Sequence, residues 1–84
     1  PTHFAIAIEY KSEKDAAPRV VAKGQDLIAL NIRKTAEANR VPVVENKVLA
    51  RTLYQAVQIG DYVPPDLYQA VAEVLAYVYN LKKR

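Results

Sequence analysis

The sequence has no cysteine, no methionine and no tryptophan, and its 84 residues include one histidine and two glycines. Without cysteine neither a disulfide nor a thiolate metal site can form, and one histidine excludes a site built from several histidines of one chain. Two glycines are too few for a glycine-rich phosphate loop. No apolar run reaches the roughly 18 residues that suggest a membrane-spanning helix. We therefore expect no cofactor and no metal.

Groups for conventional catalysis are also scarce. Ser12 is the only serine and lies in a charged segment, so a catalytic pair with His3 is not expected. The acidic residues are scattered, and no two carboxylates have a spacing that forces them together. The net charge of +3 comes from basic residues interleaved with acidic ones, without an aromatic stacking motif. Nucleic acid is therefore not an expected partner.

The most informative stretch is residues 1–10, where bulky and small or polar side chains alternate with the period of a β-strand. The bulky positions are Phe4, Ile6, Ile8 and Tyr10. Ala5 and Ala7 lie between them, and such small side chains let a helix pack closely. We therefore predict a central strand that is covered on both faces.

Hydrophobic periodicity and turn residues divide the rest of the chain into short elements. The predicted helices cover 24–39, 47–56 and 64 onward, and the predicted extended segments cover 19–22, 43–45 and 58–63. In the first helix the core-facing stripe is Ile28, Ile32, Thr35 and Ala36, with Leu27 and Leu30 at its edges. Asp26 is placed to accept hydrogen bonds from the first amides of this helix. A strand, a helix and a second strand predict a right-handed crossover, so strands 1–10 and 43–45 should be parallel. The predicted fold class is α/β, a small mixed β-sheet with helices packed on both faces, in a single domain over 1–84.

Several segments together resemble one protein family. They are residues 1–3, 17–24, 41–45, 49–54, 59–60, 62–64 and 67–76. In this order they are similar to the C-terminal cytoplasmic part of the FlhB/YscU-type export-switch proteins of type III secretion, which cleave themselves at an Asn-Pro-Thr-His sequence. Gly24 and the pair Ile59-Gly60 favour the flagellar, FlhB-type members.

The resemblance implies that Pro1, Thr2 and His3 are the C-terminal side of a cleavage site whose nucleophilic asparagine precedes this chain. Proline has no N–H, so the Asn side-chain amide is left to attack its own carbonyl carbon and release the Pro1 amine. By resemblance Thr2 and His3 help to hold the tight turn that contains the cleavage site, and His3 is a candidate proton carrier. The chain itself is expected to turn over no substrate. The sheet also looks one strand short, and we expect the segment upstream of the cut to supply that strand.

The resemblance further implies a place and a set of partners. The place is the cytoplasmic face of the bacterial inner membrane, with a tether through an upstream transmembrane region. The expected function is the switch of flagellar export from rod and hook proteins to filament proteins. Expected partners are the N-terminal complement of the same domain, export-gate components such as the FlhA-type subunit, the hook-length ruler protein and export substrates. Substrate contact is predicted at Ala17 and Pro18, together with Ala72 and Leu75 on the last helix. That helix has two apolar stripes, one of Leu67, Val71, Val74, Val78 and Leu81 and a second of Tyr68, Ala72, Leu75 and Tyr79, which is more than one small core needs. Either the helix is wedged between two layers, or part of the second stripe is an exposed docking patch.

One alternative is an enzyme. An N-terminal proline that opens a strand, followed by a helix and a parallel strand, resembles the tautomerase superfamily, in which the Pro1 amine is the general base. The residues after position 10 do not follow that pattern. The residue encoded before Pro1 separates the two hypotheses, because asparagine supports cleavage and an initiator methionine supports the tautomerase.

Overall fold

The computed structural model describes residues 2–10 and 17–82, with the side chains described up to residue 77. The strands are β1 (Phe4–Glu9), β2 (Arg19–Gln25) and β3 (Val43–Val44). The helices are α1 (Asp26–Ala38), α2 (Lys47–Ala56) and α3 (Tyr68–Lys82), and a 3₁₀ turn, Pro65–Leu67, leads into α3. Pro1 and most of the predicted loop at 11–17 lie outside the described residues.

The three strands form a sheet in the order β2-β1-β3, with β1 in the centre as predicted. Both neighbours of β1 are antiparallel to it, so the predicted parallel pairing of β1 and β3 is wrong. The segment expected as a short extended piece is the full strand β2, which reverses the chain before α1 begins. The crossover connects β2 to β3, which run in the same direction on either side of β1. The α/β class is confirmed, but neighbouring strands of the described sheet are all antiparallel rather than mixed.

Helices cover both faces of β1. On one face Ile6 and Ile8 are fully buried and join a cluster with residues of α2 and α3. The buried members of this cluster are Ile6, Ile8, Val20, Val44, Ala50, Leu53, Val57, Val63, Val71 and Leu75. The other face carries Ala5 and Ala7, and α1 packs against β1 and β2. The prediction that the alanine face admits a closely packed helix is confirmed.

The face of α1 that turns inward is not the predicted one. Ala29 and Ala36 are its buried residues, whereas Ile28 is 60% exposed. The sheet face beneath α1 is made of small residues, so the small side chains of the helix can make the close approach. The branched Ile28 touches this face at Gly24 and leaves 60% of its surface exposed. The predicted core stripe is therefore correct for Ala36 and wrong for Ile28.

The segment predicted as an edge strand at 58–63 lies along the outer edge of β2. Its amides and carbonyls exchange hydrogen bonds with β2, from Gly60 N to Val20 O at 2.7 Å and from Val20 N to Asp61 O at 3.0 Å. Tyr62 forms a single antiparallel bridge with Arg19. The chain turns at Gly60, whose φ is 95°, so only this one bridge forms instead of a ladder. The location was predicted correctly, but the segment is shorter than a strand.

Two side chains fix the ends of α2. The side-chain Oδ1 of Asn46 accepts hydrogen bonds from the amides of Val48 and Leu49, at 3.1 Å each, which is the N-terminal cap that the sequence predicts. At the other end Lys23 donates to the carbonyl oxygens of Tyr54 and Val57, at 2.9 Å each. A cation at a helix C-terminus satisfies free carbonyls and opposes the dipole. Lys23 thereby ties β2 to α2 across the core.

Candidate functional site

The N-terminal end of β1 is anchored to the start of α1. His3 and Asp26 exchange two hydrogen bonds: the Asp26 amide donates to the His3 carbonyl at 2.7 Å, and the His3 amide donates to Asp26 Oδ1 at 3.2 Å. Thr2 and His3 are both exposed. The two residues of the Pro-Thr-His sequence that are described are thus open to solvent, with the backbone of His3 held in place.

Asp26 has a different task at this site from the one that the sequence predicts. It was expected to cap α1, but it is the first residue of α1 and the hydrogen bond of its carboxylate runs to β1. Asp26 also has a φ of 53°, in the left-handed region that few non-glycine residues adopt. No local pattern indicates a contact over 23 positions, and only the pairing register of β1 with β2 brings the two residues together.

An open groove runs along residues 2–4, where the chain enters β1. The pairing between β1 and β3 ends at Ile6, so within the described chain no strand lies beside Phe4 on that side. Two cavities of about 720 and 650 Å³ flank this edge, and Thr2, Phe4 and Lys47 line both. One opens toward α1 and the other toward α2. The rim includes an ion pair of 3.8 Å between Arg33 and Glu45, with both side chains about half exposed.

The residues predicted to contact substrates differ in exposure. Ala17 is 4% exposed and Leu75 is 6% exposed, whereas Pro18 is half-buried and Ala72 is exposed. The carbonyl of Pro18 accepts a hydrogen bond from Val63 at 2.8 Å, and Val63 belongs to the same buried cluster as Leu75. Of the four residues, Pro18 and Ala72 offer most of the accessible surface.

An apolar groove beside α1 was not predicted. Its cavity of about 390 Å³ lies between α1 and the sheet and is lined mainly by apolar side chains, among them Ala7, Val21, Ile28 and Ile32. The misassigned helix stripe explains the omission, because Ile28 was expected to be buried. Elsewhere on α1, Leu27 is 71% exposed and lines the cavity next to His3.

Metal clusters and membrane-spanning helices are absent from the part of the chain that the structure describes. Among the residues with described side chains, no three histidine, aspartate or glutamate groups lie close enough to hold a metal ion. None of the helices in the described ranges combines the length and apolar character needed to cross a membrane. The antiparallel arrangement of β1 and β3 also removes the parallel pair on which the likeness to tautomerases depended.

Comparison with known proteins identifies similar chains. The profile of the family described as "FlhB HrpN YscU SpaS Family" matches residues 1–78. The flagellar biosynthetic protein FlhB of Salmonella typhimurium is 52% identical over 83 residues, which are 99% of this chain and 22% of that protein. The FlhB of Bacillus subtilis is 51% identical over 84 residues, which are 100% of this chain and 23% of that protein. The chain thus spans about a fifth of the length of these relatives.

Solved structures are similar over nearly the whole chain. The cytoplasmic domain of FlhB from Shewanella putrefaciens superposes with a TM-score of 0.85 at 40% identity, covering 96% of this chain and 63% of that one. The PscU C-terminal domain superposes with a TM-score of 0.81 at 41% identity, covering 93% of this chain and 99% of that one. The arrangement of strands and helices described above is therefore the one found in these C-terminal and cytoplasmic domains.

Proposed function

The chain belongs to the FlhB, HrpN, YscU and SpaS family, and we propose that it is the C-terminal self-cleavage fragment of the cytoplasmic domain of a flagellar export-switch protein. In this proposal the domain lies on the cytoplasmic face of the inner membrane, tethered through an upstream transmembrane region. It works with an FlhA-type subunit of the export gate and with the hook-length ruler protein. It changes the exported class from rod and hook proteins to filament proteins.

The cleavage step follows from the chemistry of an asparagine-proline bond. The side-chain amide nitrogen of the asparagine attacks the carbonyl carbon of the same residue and forms a cyclic imide. The bond to the Pro1 nitrogen breaks, and that nitrogen takes up a proton and leaves as a free secondary amine. The reaction needs no co-reactant, so the fold must supply only the orientation of the amide nitrogen toward the carbonyl carbon. Holding two reacting groups in the right geometry lowers an activation barrier by about 7–11 kcal/mol in the best cases.

The observation that carries this proposal is the anchored and exposed Thr2-His3 segment beside an open strand edge. A strand from the upstream segment, running antiparallel to β1, would fit next to Thr2 and Phe4, where the described pairing of β3 has ended. Such a strand would cover Phe4 and make Pro1 part of a tight turn between two paired strands. A turn held at both ends keeps the reacting amide near its target carbon.

The experiment is the intact mass of the full-length protein, purified as it is expressed. We expect two non-covalently associated fragments, the smaller of which begins at Pro1. When the asparagine before Pro1 is replaced by alanine, we expect one uncut chain, because the attacking amide is gone. A single uncut chain from the parent protein, or a gene that encodes another residue before Pro1, would refute the proposal.

We further propose that early export substrates bind at Ala17, Pro18, Ala72 and Leu75, where Pro18 and Ala72 offer the accessible surface and Ala17 and Leu75 are buried beneath it. Ala72 offers the sharpest test because it is exposed on α3. Ala72→Glu is expected to weaken binding of an early substrate about tenfold, which is the effect of about 1.4 kcal/mol. The cause is a charge placed in an apolar contact, and the measurement is a fluorescence titration of the purified cytoplasmic domain with a labelled substrate.

Ala56→Glu on α2 is the matched control, because the same substitution is made at another exposed helical alanine. We expect that variant to bind like the parent. Thermal unfolding should show both variants folded, since surface substitutions usually change stability by no more than about 0.5 kcal/mol. Equal binding by Ala72→Glu and the parent would place substrate contact elsewhere, without affecting the cleavage proposal.

A further inference from the structure

We propose that Asp26 is the positioning residue that fixes the Pro1–His3 segment for cleavage, an inference that rests on the proposed self-cleavage. Asp26 touches neither reacting atom. Its role is to hold the backbone two residues after the bond that breaks. The argument comes from the way in which the ladder between β1 and β2 ends.

The last regular pair of that ladder is Phe4 with Gln25, so the next pair in register is His3 with Asp26. An antiparallel ladder alternates pairs that exchange two backbone hydrogen bonds with pairs that exchange none. Here the first of the two bonds is present, from the Asp26 amide to the His3 carbonyl at 2.7 Å. The second would require the Asp26 carbonyl, but Asp26 already belongs to the first turn of α1.

The carboxylate of Asp26 takes the place of that carbonyl. Its Oδ1 accepts the His3 amide at 3.2 Å, so His3 keeps both bonds of a regular pair although the partner strand has ended. The φ of 53° at Asp26 is what turns the chain from β2 into α1 at this point. Position 26 therefore needs a residue that tolerates the left-handed region and also carries a short side-chain acceptor.

Aspartate and asparagine meet both requirements, because their short polar side chains are the ones that adopt the left-handed region most readily among non-glycine residues. Glycine meets only the backbone requirement. Alanine meets neither. Three variants therefore separate the possible contributions of Asp26. Asp26→Asn removes only the negative charge, Asp26→Gly also removes the side-chain acceptor, and Asp26→Ala removes the acceptor and strains the backbone.

The link to cleavage is geometric. His3 is held on both its N–H and its C=O, so Pro1 is only two residues from a fixed point. A displacement of about 1 Å at a reacting group can slow a reaction about a hundredfold. Without the Oδ1 acceptor, the segment before His3 loses one of its two anchors, and the asparagine amide spends less time near its carbonyl carbon.

The test is a pulse-chase of the full-length protein, with the fragment that begins at Pro1 followed by mass over time. We expect Asp26→Asn to cleave within about threefold of the parent rate, because asparagine keeps the acceptor and loses only the charge. We expect Asp26→Gly and Asp26→Ala to cleave about 10- to 100-fold more slowly. Glu37→Ala, which removes an exposed acidic residue from the same helix, is the control and should cleave like the parent.

A second readout separates positioning from general stability. Hydrogen exchange at the His3 amide, measured by mass spectrometry on the same purified protein, should be slow in the parent and in Asp26→Asn and fast in Asp26→Gly. Thermal unfolding should leave Asp26→Gly close to the parent, since glycine accepts a positive φ without strain.

The outcomes distinguish this inference from the proposal beneath it. If the parent is never cut, self-cleavage fails and the role of Asp26 fails with it. If the parent is cut and Asp26→Gly is cut at the same rate, only the role of Asp26 is overturned. An unprotected His3 amide in the parent overturns it as well, whatever the stability of the variants.

Discussion

Leu75→Glu is expected to unfold the domain rather than to probe its surface. Leu75 is 6% exposed and belongs to the buried cluster beneath the isoleucine face of β1. An unpaired charge left in such a place costs about 3–5 kcal/mol. The lost packing of the leucine side chain adds about 2–5 kcal/mol. Together the two costs approach the whole stability of a domain of this size, which is roughly 5–10 kcal/mol. Urea unfolding followed by circular dichroism should show a midpoint near zero denaturant.

Leu75→Met is the control, because it keeps the volume and the apolar character and should cost less than about 1.5 kcal/mol. If Leu75→Glu instead keeps a cooperative transition with a midpoint close to that of the parent, Leu75 is not in the core. A loss of export caused by Leu75→Glu would therefore say nothing about substrate contact. The exposed Ala72 is the residue on α3 that can report on it.

The sequence was sufficient for the central strand and for the ends of α2. Alternation over 1–10 is a local signal, and Asn46 lies in the position that a cap requires, so both could be predicted without knowing the rest of the fold. The direction of β3 could not. Residues 19–25 carry a weak alternation that includes Gly24, so the strand that reverses the chain was underestimated. Because 19–22 was predicted as a short extended piece and not as a full strand of the sheet, the predicted direction of β3 relative to β1 was inverted.

The candidate site divides in the same way. The Pro-Thr-His sequence is contiguous, so resemblance alone could locate it. Its anchor at Asp26 is 23 positions away from His3 and depends on register, which no window along the chain contains. Likewise the exposure of Ala72 and the burial of Leu75 follow from how α3 is rotated against the sheet. Both residues lie on the same apolar stripe of α3, and the sequence of the stripe does not indicate which of its residues face the core.

Gly24→Ala is expected to destabilise the domain by about 1–3 kcal/mol, because the added methyl group overpacks the contact between β2 and α1. Gly24 is buried opposite Ala5. A Cβ at this position would overlap Cγ2 of Ile28 and would lie 3.0 Å from Cδ1 of Ile32. Cγ2 of a β-branched side chain moves little without its backbone, so α1 itself must shift. Urea unfolding of the parent and the variant measures the loss.

The cause of that loss can be isolated with a second substitution. Ile28→Ala alone should cost little, since Ile28 is 60% exposed, but in the Gly24→Ala background it should recover most of the loss. Gly60→Ala is the control: it has open space around it and a φ of 95°, so its cost comes from the backbone and should not respond to Ile28→Ala. Additive effects of Gly24→Ala and Ile28→Ala would contradict the steric explanation.

The close approach of α1 to β2 at Gly24 also bears on the anchor of His3, because Asp26, the first residue of α1, lies only two residues after Gly24. A shifted α1 should therefore also speed hydrogen exchange at the His3 amide, which connects the packing of the alanine face to the anchor of the proposed cleavage site.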